Sequence, residues 1–393
     1  MTQDSMASTD AGRLRAAAAA DDAFGADVYR SLGAGAGTRN TVFSPASIAA
    51  ALQMALCGAR GKTAAQMATA LHLGAPDAAV DGLRLLTDEL TAAGGAPGNG
   101  DRLTLRAPNT MWVQAGLPLS PEFTAQLRDA AVATVRPADF AGAPQVARAQ
   151  VNQLIAEQTA GKITDLLGPD AVSVATRLVL ANAVYLKAPW AFPFPEGATA
   201  DALFYPGRGE AALTVRMMRH TADLAYLRAD GYQAVLLPYK LSRLAMAVVL
   251  PDGPLSALAP RLTGGLGPLL AGAAQQSVAL ALPKFRQRAS FGLIPVLRQL
   301  GVEDAFTDAA DFSGITPAER LVISAIVHQA YIDVDEHGTE AAAATAITMR
   351  PMAMRRGPDP IPMVVDRPFL FAIVDTATGL PLFLGHVVRP ATG

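Results

Sequence analysis

The sequence is poor in the residues on which several classes of protein depend. One cysteine, Cys57, stands among 393 residues, which excludes an internal disulfide framework and a zinc site built from cysteines. No two of the five histidines have the H-x-x-x-H spacing of a metal-binding helix. We therefore expect neither a metal nor another cofactor, and stability must come from packing alone.

Charge of either sign is also scarce. Charged residues make up 17% of the chain and the net charge is −2, so nothing electrostatic points to a nucleic acid or an anionic membrane as a partner. No uninterrupted apolar run approaches the roughly 20 residues that span a bilayer. Residues 1–25 lack a basic start followed by an apolar core, so no signal peptide is visible.

A recognisable catalytic set is missing as well. GARGKT at residues 58–63 looks like the end of a phosphate-binding loop, but the full motif needs a glycine five positions before Gly61, where Leu56 stands. We interpret it as a turn between helices. No G-x-S-x-G motif occurs. His328 lies in an apolar strand, where a hydrogen-bonded core histidine is the default. We predict a protein without catalytic residues that is not an enzyme.

What the chain does contain is apolar sequence, at 51% of its residues, enough for a substantial core. Apolar spacing near 3.6 predicts helices at 13–32 and 46–72. Apolar runs of strand length dominate the second half, which closes with a buried hairpin around Thr378-Gly379. The most linker-like stretch, 92–101, is too short to indicate a domain boundary. The pattern predicts an α+β fold with large, mostly antiparallel sheets.

One segment, DEHGTEAAAATAITM at residues 335–349, permits two interpretations. It could be a short alanine-rich helix capped by Thr339, or a segment that must change its structure. Laid on a strand, one face is small or apolar throughout: Thr339, Ala341, Ala343, Thr345, Ile347 and Met349. The segment then runs into MRPMAMRRGPDPIP, which no sheet interior would accept, because proline lacks the N–H and arginine needs water.

EHGTEAAAAT resembles the proximal hinge of a serpin reactive-centre loop, in which an acidic residue precedes glycine, threonine or serine, and a run of small residues. Motifs similar to those of the family recur in order from about residue 22 to Pro390: NTVFSPASIAAAL, VNQLIAEQTAGKITDLL, LANAVYLKAPWAFPF, LPKF, LRQLGVEDAF, DFSGI, DRPFLFAIVD and LFLGHVV. The departures are small. Ala188 replaces the usual glycine, and His337 stands where glutamate, lysine or arginine is common.

The resemblance implies one serpin domain over residues 22–390, after an N-terminal tail at 1–21. The expected fold has about nine helices and three β-sheets, with an exposed reactive-centre loop at about 336–362. It also implies a suicide-substrate inhibitor. A serine protease cleaves the loop and forms an acyl-enzyme, and the loop then inserts as a central strand. The expected hinge residues are Glu336, Gly338, Thr339, Ala341 and Ala343.

The reactive bond follows from the same resemblance. In the family it lies about seventeen residues from the hinge glutamate, counting both ends. From Glu336 this count reaches Met352, so the expected bond is Met352–Ala353. Methionine suits the apolar pocket of an elastase-, chymotrypsin- or subtilisin-like protease. The alternative specificity residues are Arg350, Arg355 and Arg356, which would favour trypsin-like targets or simply keep the loop solvated.

The resemblance further implies a shutter, a hydrogen-bonded cluster where the sheet must open, at Ser44, Ser47, Asn182 and His328. Trp190 matches the breach, where insertion begins. The alternative interpretation is that these residues are simply hydrogen-bonded polar groups of the core. The two interpretations are compatible.

We expect the partner to be a target serine protease in a covalent complex with a monomer. The helix expected near 80–93 has one arginine and no lysine, so a glycosaminoglycan partner is not expected. The resemblance implies an extracellular protein, although no signal peptide is visible, and the cytoplasm stays open as the alternative. The alternative function is a non-inhibitory serpin, a carrier or chaperone-like binding protein, which the hinge composition argues against.

Overall fold

The computed structural model describes residues 3–33, 39–93, 103–130, 135–207, 209–340 and 359–390. In these ranges the α-helices are α1 Gln3–Ser31, α2 Pro45–Gly58, α3 Gly61–Ala70, α4 Ala78–Ala93, α5 Pro121–Asp129, α6 Pro144–Gln158, α7 Gly267–Leu270 and α8 Ile294–Gln299. Short 3-10 helices span Glu196–Ala198, Leu255–Leu262 and Asp304–Phe306. None of the described helices is both long enough and apolar enough to cross a bilayer.

The strands are concentrated in the second half of the chain, as predicted. They are β1 Thr41–Phe43, β2 Thr104–Arg106, β3 Asn109–Gln114, β4 Val135–Ala138, β5 Leu178–Pro189, β6 Ala200–Phe204, β7 Leu213–Ala229, β8 Tyr232–Pro238, β9 Leu244–Pro251, β10 Ala274–Pro283, β11 Phe285–Gly292, β12 Ile323–Val334, β13 Gly338–Thr339, β14 Ile361–Val364, β15 Phe369–Asp375 and β16 Pro381–Val387.

The two helices predicted near the N-terminus differ from the observed ones in extent. Helix α1 contains most of the predicted 13–32 helix but begins ten residues earlier, so most of the segment set apart as a tail is helical. The predicted 46–72 helix is divided into α2 and α3, and the division falls within GARGKT, where a turn was expected. Every residue of α2 is buried, which its apolar and small side chains permit.

A nine-stranded sheet has the order β1-β16-β15-β9-β8-β7-β10-β14, with β6 paired to β7. Strand β7 is 17 residues long and joins two parts of this sheet: its first residues pair with β6, its middle with β10 and its last residues with β8. This junction explains why the described residues form two hydrogen-bonded sheets where three were expected. The predicted C-terminal hairpin is β15 and β16.

A second, seven-stranded sheet has the order β11-β12-β13-β5-β3-β4, with β2 paired to β5. Its central strands β5 and β12 are parallel and pair directly from Leu178 and Ile323 to Tyr185 and Tyr331. Beyond that point the two-residue strand β13 lies between them, antiparallel to both. We call the line along which β5 and β12 meet the seam, and its end at β13 the mouth of the seam.

Alternation along β5 divides the core into two parts. Leu180, Val184 and Leu186 belong to the main core, which also contains α2. On the opposite face, Val179, Ala181, Ala183 and Tyr185 pack beneath α6, whose apolar residues recur every four positions at Ala147, Val151 and Ile155. Helix α6 and the segment after it therefore cover the front of the seven-stranded sheet.

Candidate functional site at the seam of the seven-stranded sheet

The predicted hinge begins inside the mouth of the seam. Thr339 is completely buried between Val334 of β12 and Ala188 of β5. Its hydroxyl shares a hydrogen bond of 2.6 Å with the hydroxyl of Tyr239. Gly338 is required by close approach, because a Cβ at this position would lie 2.1 Å from the carbonyl oxygen of Ala188. The chain can therefore enter the seam at this point only with glycine followed by a side chain that is small or can be buried.

Trp190, the residue expected at the breach, supports this entrance. Its ring stacks on Tyr239 with centroids 4.7 Å apart and planes 9° apart. The Nε1–H of Trp190 donates to the carbonyl oxygen of Asp335 at 3.0 Å, and the backbone N–H of Trp190 donates to the carbonyl oxygen of His337 at 2.9 Å. Burial raises the pKa of Tyr239 far above the usual range, so its hydroxyl keeps its proton. One aromatic pair thus fixes both Thr339 and the turn that precedes it.

Glu336 anchors the chain before it enters the seam. Its carboxylate accepts hydrogen bonds from Lys284 Nζ at 2.7 Å and from the Thr199 hydroxyl at 2.8 Å. Burial pushes the pKa of Glu336 upward, but the hydrogen bonds outweigh burial and the net shift is downward. His337, one of the departures from the family pattern, places Nε2 3.0 Å from Glu196 Oε1.

A buried polar cluster, the candidate shutter, crosses the seam itself. Asn182 of β5 and His328 of β12 are register partners, and Asn182 is also the partner of Asn109 on β3. The backbone N–H of Ser44 donates to His328 Nε2 at 3.0 Å, so Nε2 is unprotonated and the proton lies on Nδ1. That Nδ1–H donates to Asn182 Oδ1. Burial lowers the pKa of His328 to about 3, so the imidazole is neutral at physiological pH.

Asn182 and the first turn of α2 complete the cluster. The Asn182 amide donates to the carbonyl oxygen of Ser47 at 2.7 Å and to its hydroxyl oxygen at 2.6 Å. The Ser47 hydroxyl in turn donates to Asn109 Oδ1 at 2.9 Å. Ser44 caps α2 by accepting from the Ser47 backbone N–H at 3.2 Å. Strands β5 and β12 cannot separate without breaking the Asn182–His328 hydrogen bond.

The structure brings Ser44, Ser47, Asn182 and His328 together in one cluster. It places Trp190 against Tyr239, which is hydrogen-bonded to Thr339. The shutter and breach roles stay predictions. Asn109 was missed. The available signal was a polar side chain in the short strand-like stretch APNTMW, which by itself does not indicate a partner. Several predicted residues lie outside the described part of the chain: Ala341, Ala343, Arg350, Met352, Ala353, Arg355 and Arg356.

The mouth of the seam in the seven-stranded sheet already holds β13, the first part of the segment that follows β12. The chain belongs to the serpin family: the family model described as "Serpin (serine protease inhibitor)" matches residues 19–390. The resemblance seen in the motifs and the α+β serpin fold are both confirmed.

Similar proteins share nearly the whole chain. A serpin-like protein of Thermococcus kodakarensis is 39% identical over 95% of this chain and 85% of its own length. The leukocyte elastase inhibitor of Bos taurus is 35% identical over 95% of this chain and 99% of its own. Among solved structures, Serpin48 of the insect Tenebrio molitor, described as a highly specific serpin, is 30% identical. It has a TM-score of 0.82 and covers 95% of this chain and 98% of its own.

Proposed function

We propose that this protein inhibits serine proteases as a suicide substrate. The protease cleaves the loop after β13 and becomes attached as an acyl-enzyme, and the residues from Thr339 onward then insert between β5 and β12. The observation that carries this proposal is the position of Thr339, which is buried and paired with both strands at the mouth of the seam.

The direction and chemistry of the next residues support continued insertion. Strand β13 is antiparallel to both neighbours, so a chain that continues in this direction moves along the seam and can hydrogen-bond to each side. Eleven residues, from Thr339 to Met349, would extend about 36 Å at 3.3 Å each. Their inward face carries no charge, so no buried charge would oppose the movement.

The contacts across the seam indicate what must change during insertion. Separation of β5 and β12 breaks the hydrogen bond between Asn182 and His328, and these buried groups must then find new partners. The cluster therefore resists opening until the inserted strand supplies backbone donors and acceptors. We propose that this resistance slows the separation of β5 and β12 before cleavage.

We propose Met352–Ala353 as the reactive bond and an elastase-, chymotrypsin- or subtilisin-like protease as the target. The Pro-Met-Ala sequence at 351–353 supports this choice, because methionine fits an apolar specificity pocket. The similarity to the leukocyte elastase inhibitor of Bos taurus supports it as well. Arg350, Arg355 and Arg356 are the alternative specificity residues.

The test is incubation with an elastase, chymotrypsin, subtilisin and trypsin, followed by denaturing electrophoresis and mass spectrometry. The proposal predicts an SDS-stable complex with one of the first three enzymes and a released peptide that begins at Ala353. Clean cleavage at the loop by all four enzymes, without a complex, would instead favour a carrier or chaperone-like binding protein. A peptide that begins at Pro351, Arg356 or Gly357 would assign the bond to one of the arginines.

A further inference from the structure

The residue after the buried hinge threonine has an unusual backbone. Glu340 has a φ of +49°, in the left-handed region that few residues other than glycine, asparagine and aspartate occupy. Its backbone N–H donates to the carbonyl oxygen of Asp333 at 2.7 Å. A strand requires φ near −140°, so Glu340 must rotate before the next residue can follow Thr339 into the seam. That rotation releases the strain of the left-handed conformation.

The side chain of Glu340 opposes the same rotation. One carboxylate oxygen forms an ion pair with Lys162 Nζ, and the other, Oε2, is buried and has no hydrogen-bond partner in the described part of the chain. The Glu340 side chain is only 15% exposed, so solvent screens this pair less than a fully exposed one. The hydrogen bond from Lys162 to Glu340 raises the pKa of the lysine, which is therefore charged.

Lys162 is itself held over the mouth of the seam. Its Nζ lies 5.6 Å from the ring centroid of Tyr331, and the guanidinium carbon of Arg288 lies 5.8 Å from the same ring. The Arg288 guanidinium donates to the carbonyl oxygen of Lys162. Tyr331 pairs with Tyr185 at the last position where β12 and β5 are directly paired. Burial and the charge of Glu340 raise the pKa of Tyr185 to about 12, so the phenol of Tyr185 keeps its proton.

We infer that Lys162 is a positioning residue that acts as a catch on the hinge: its ion pair with Glu340 holds the loop at Thr339 and sets the rate at which the loop inserts. This inference rests on the proposed inhibitor function. Lys162 belongs to the segment that follows α6, so release of the hinge also removes a contact between that segment and the mouth of the seam.

The first experiment needs no protease. Intact protein is incubated below its melting temperature, and the conversion to a urea-resistant, loop-inserted form is followed with time. Lys162→Met and Glu340→Gln should each convert about two- to fivefold faster than wild type, the range for loss of a partly exposed ion pair. The double variant should be no faster than the faster single variant, because both changes remove one interaction. Lys162→Arg keeps the cation and should convert at the wild-type rate.

Glu319→Gln is the matched control. Glu319 Oε1 lies 3.5 Å from Arg177 Nε, and these residues precede β12 and β5 at the opposite end of the seam. Loss of this ion pair should leave the conversion rate unchanged. If Lys162→Met converts no faster than Glu319→Gln, or if Lys162→Arg converts as fast as Lys162→Met, the inference is wrong.

The second experiment measures the fraction of a subtilisin-like protease that is trapped as an SDS-stable complex. Faster insertion competes better with deacylation, so Lys162→Met should give more complex and less cleaved product than wild type. A general loss of stability would not improve this ratio. If the wild type forms complexes and the Lys162→Met and Glu340→Gln variants trap the same fraction of protease, only the catch is overturned. A wild type that neither inserts its loop nor traps any protease would overturn the proposed function and the catch together.

Discussion

The free energy of unfolding of this protein should fall steeply in weak acid, because His328 takes up a proton only when the protein unfolds. The pKa of the buried imidazole is lowered from 6.5 to about 3, with burial as the cause. Below pH 6.5 the unfolded state therefore binds a proton that the native state does not bind, and the free energy of unfolding falls as pH falls, until pH 3. Between pH 7.5 and pH 5.0 this single site should remove about 2 kcal/mol.

The measurement is urea unfolding of the intact protein at both pH values, compared with His328→Gln. Glutamine can accept from Ser44 N–H and donate to Asn182 but does not titrate, so the variant should lose about 2 kcal/mol less between the two pH values. Carboxylates that titrate elsewhere contribute equally to both proteins and cancel. Burial also lowers the pKa of His386, which acts in the same direction in both.

Ser47→Ala is the control for this comparison. It removes a hydroxyl that bonds Asn182 and Asn109 and so weakens the cluster, but it leaves the imidazole in place. Its stability should be lower than that of wild type at every pH, with the wild-type pH dependence. Equal losses in wild type and His328→Gln would refute the assignment of a neutral, buried His328.

The remaining predictions concern the loop and its insertion. Thr339→Arg should turn the inhibitor into a substrate, because a guanidinium would have to be buried without a partner; a gel should show cleaved product in place of complex, and an unchanged ratio would contradict insertion. Met352→Arg should shift inhibition towards trypsin-like enzymes, whose pocket carries a carboxylate, as measured by association rates with trypsin and with an elastase. Protein cleaved between Met352 and Ala353 should melt well above intact protein, by about tens of degrees, because the serpin fold is metastable until the loop pairs with β5 and β12. Calorimetry that finds equal or lower melting after a verified cut would mean that the loop does not insert.

Much of the fold could be predicted where a strand is buried on both faces. LVLANAVYL and LFLGHVV are nearly continuous apolar runs, and they form β5 and β16 as expected. Strand β11 was missed because FRQRASFG places Arg286 and Arg288 on an exposed face, and its polar residues resemble a loop. Strand β7 was missed for a related reason. Its 17 residues serve two parts of a sheet, so the burial pattern changes along its length and no single period describes it.

The candidate site divides in the same way between local signals and long-range contacts. A lone polar residue in an apolar strand, such as Asn182 or His328, indicates a buried hydrogen bond wherever it occurs, because an unpaired polar group there would be costly. The partners of such a residue cannot be predicted from the local sequence. The contact of Lys162 with Glu340 joins residues 178 positions apart and depends on a left-handed backbone that the sequence TEAAAA does not favour. Glutamate in that conformation is a local conflict between sequence and structure, and such conflicts persist where the surrounding contacts compensate for them. Here the compensating contact is the ion pair with Lys162, which belongs to the segment after α6 that covers the sheet. The strained residue and the residue that restrains it therefore come from different parts of the chain.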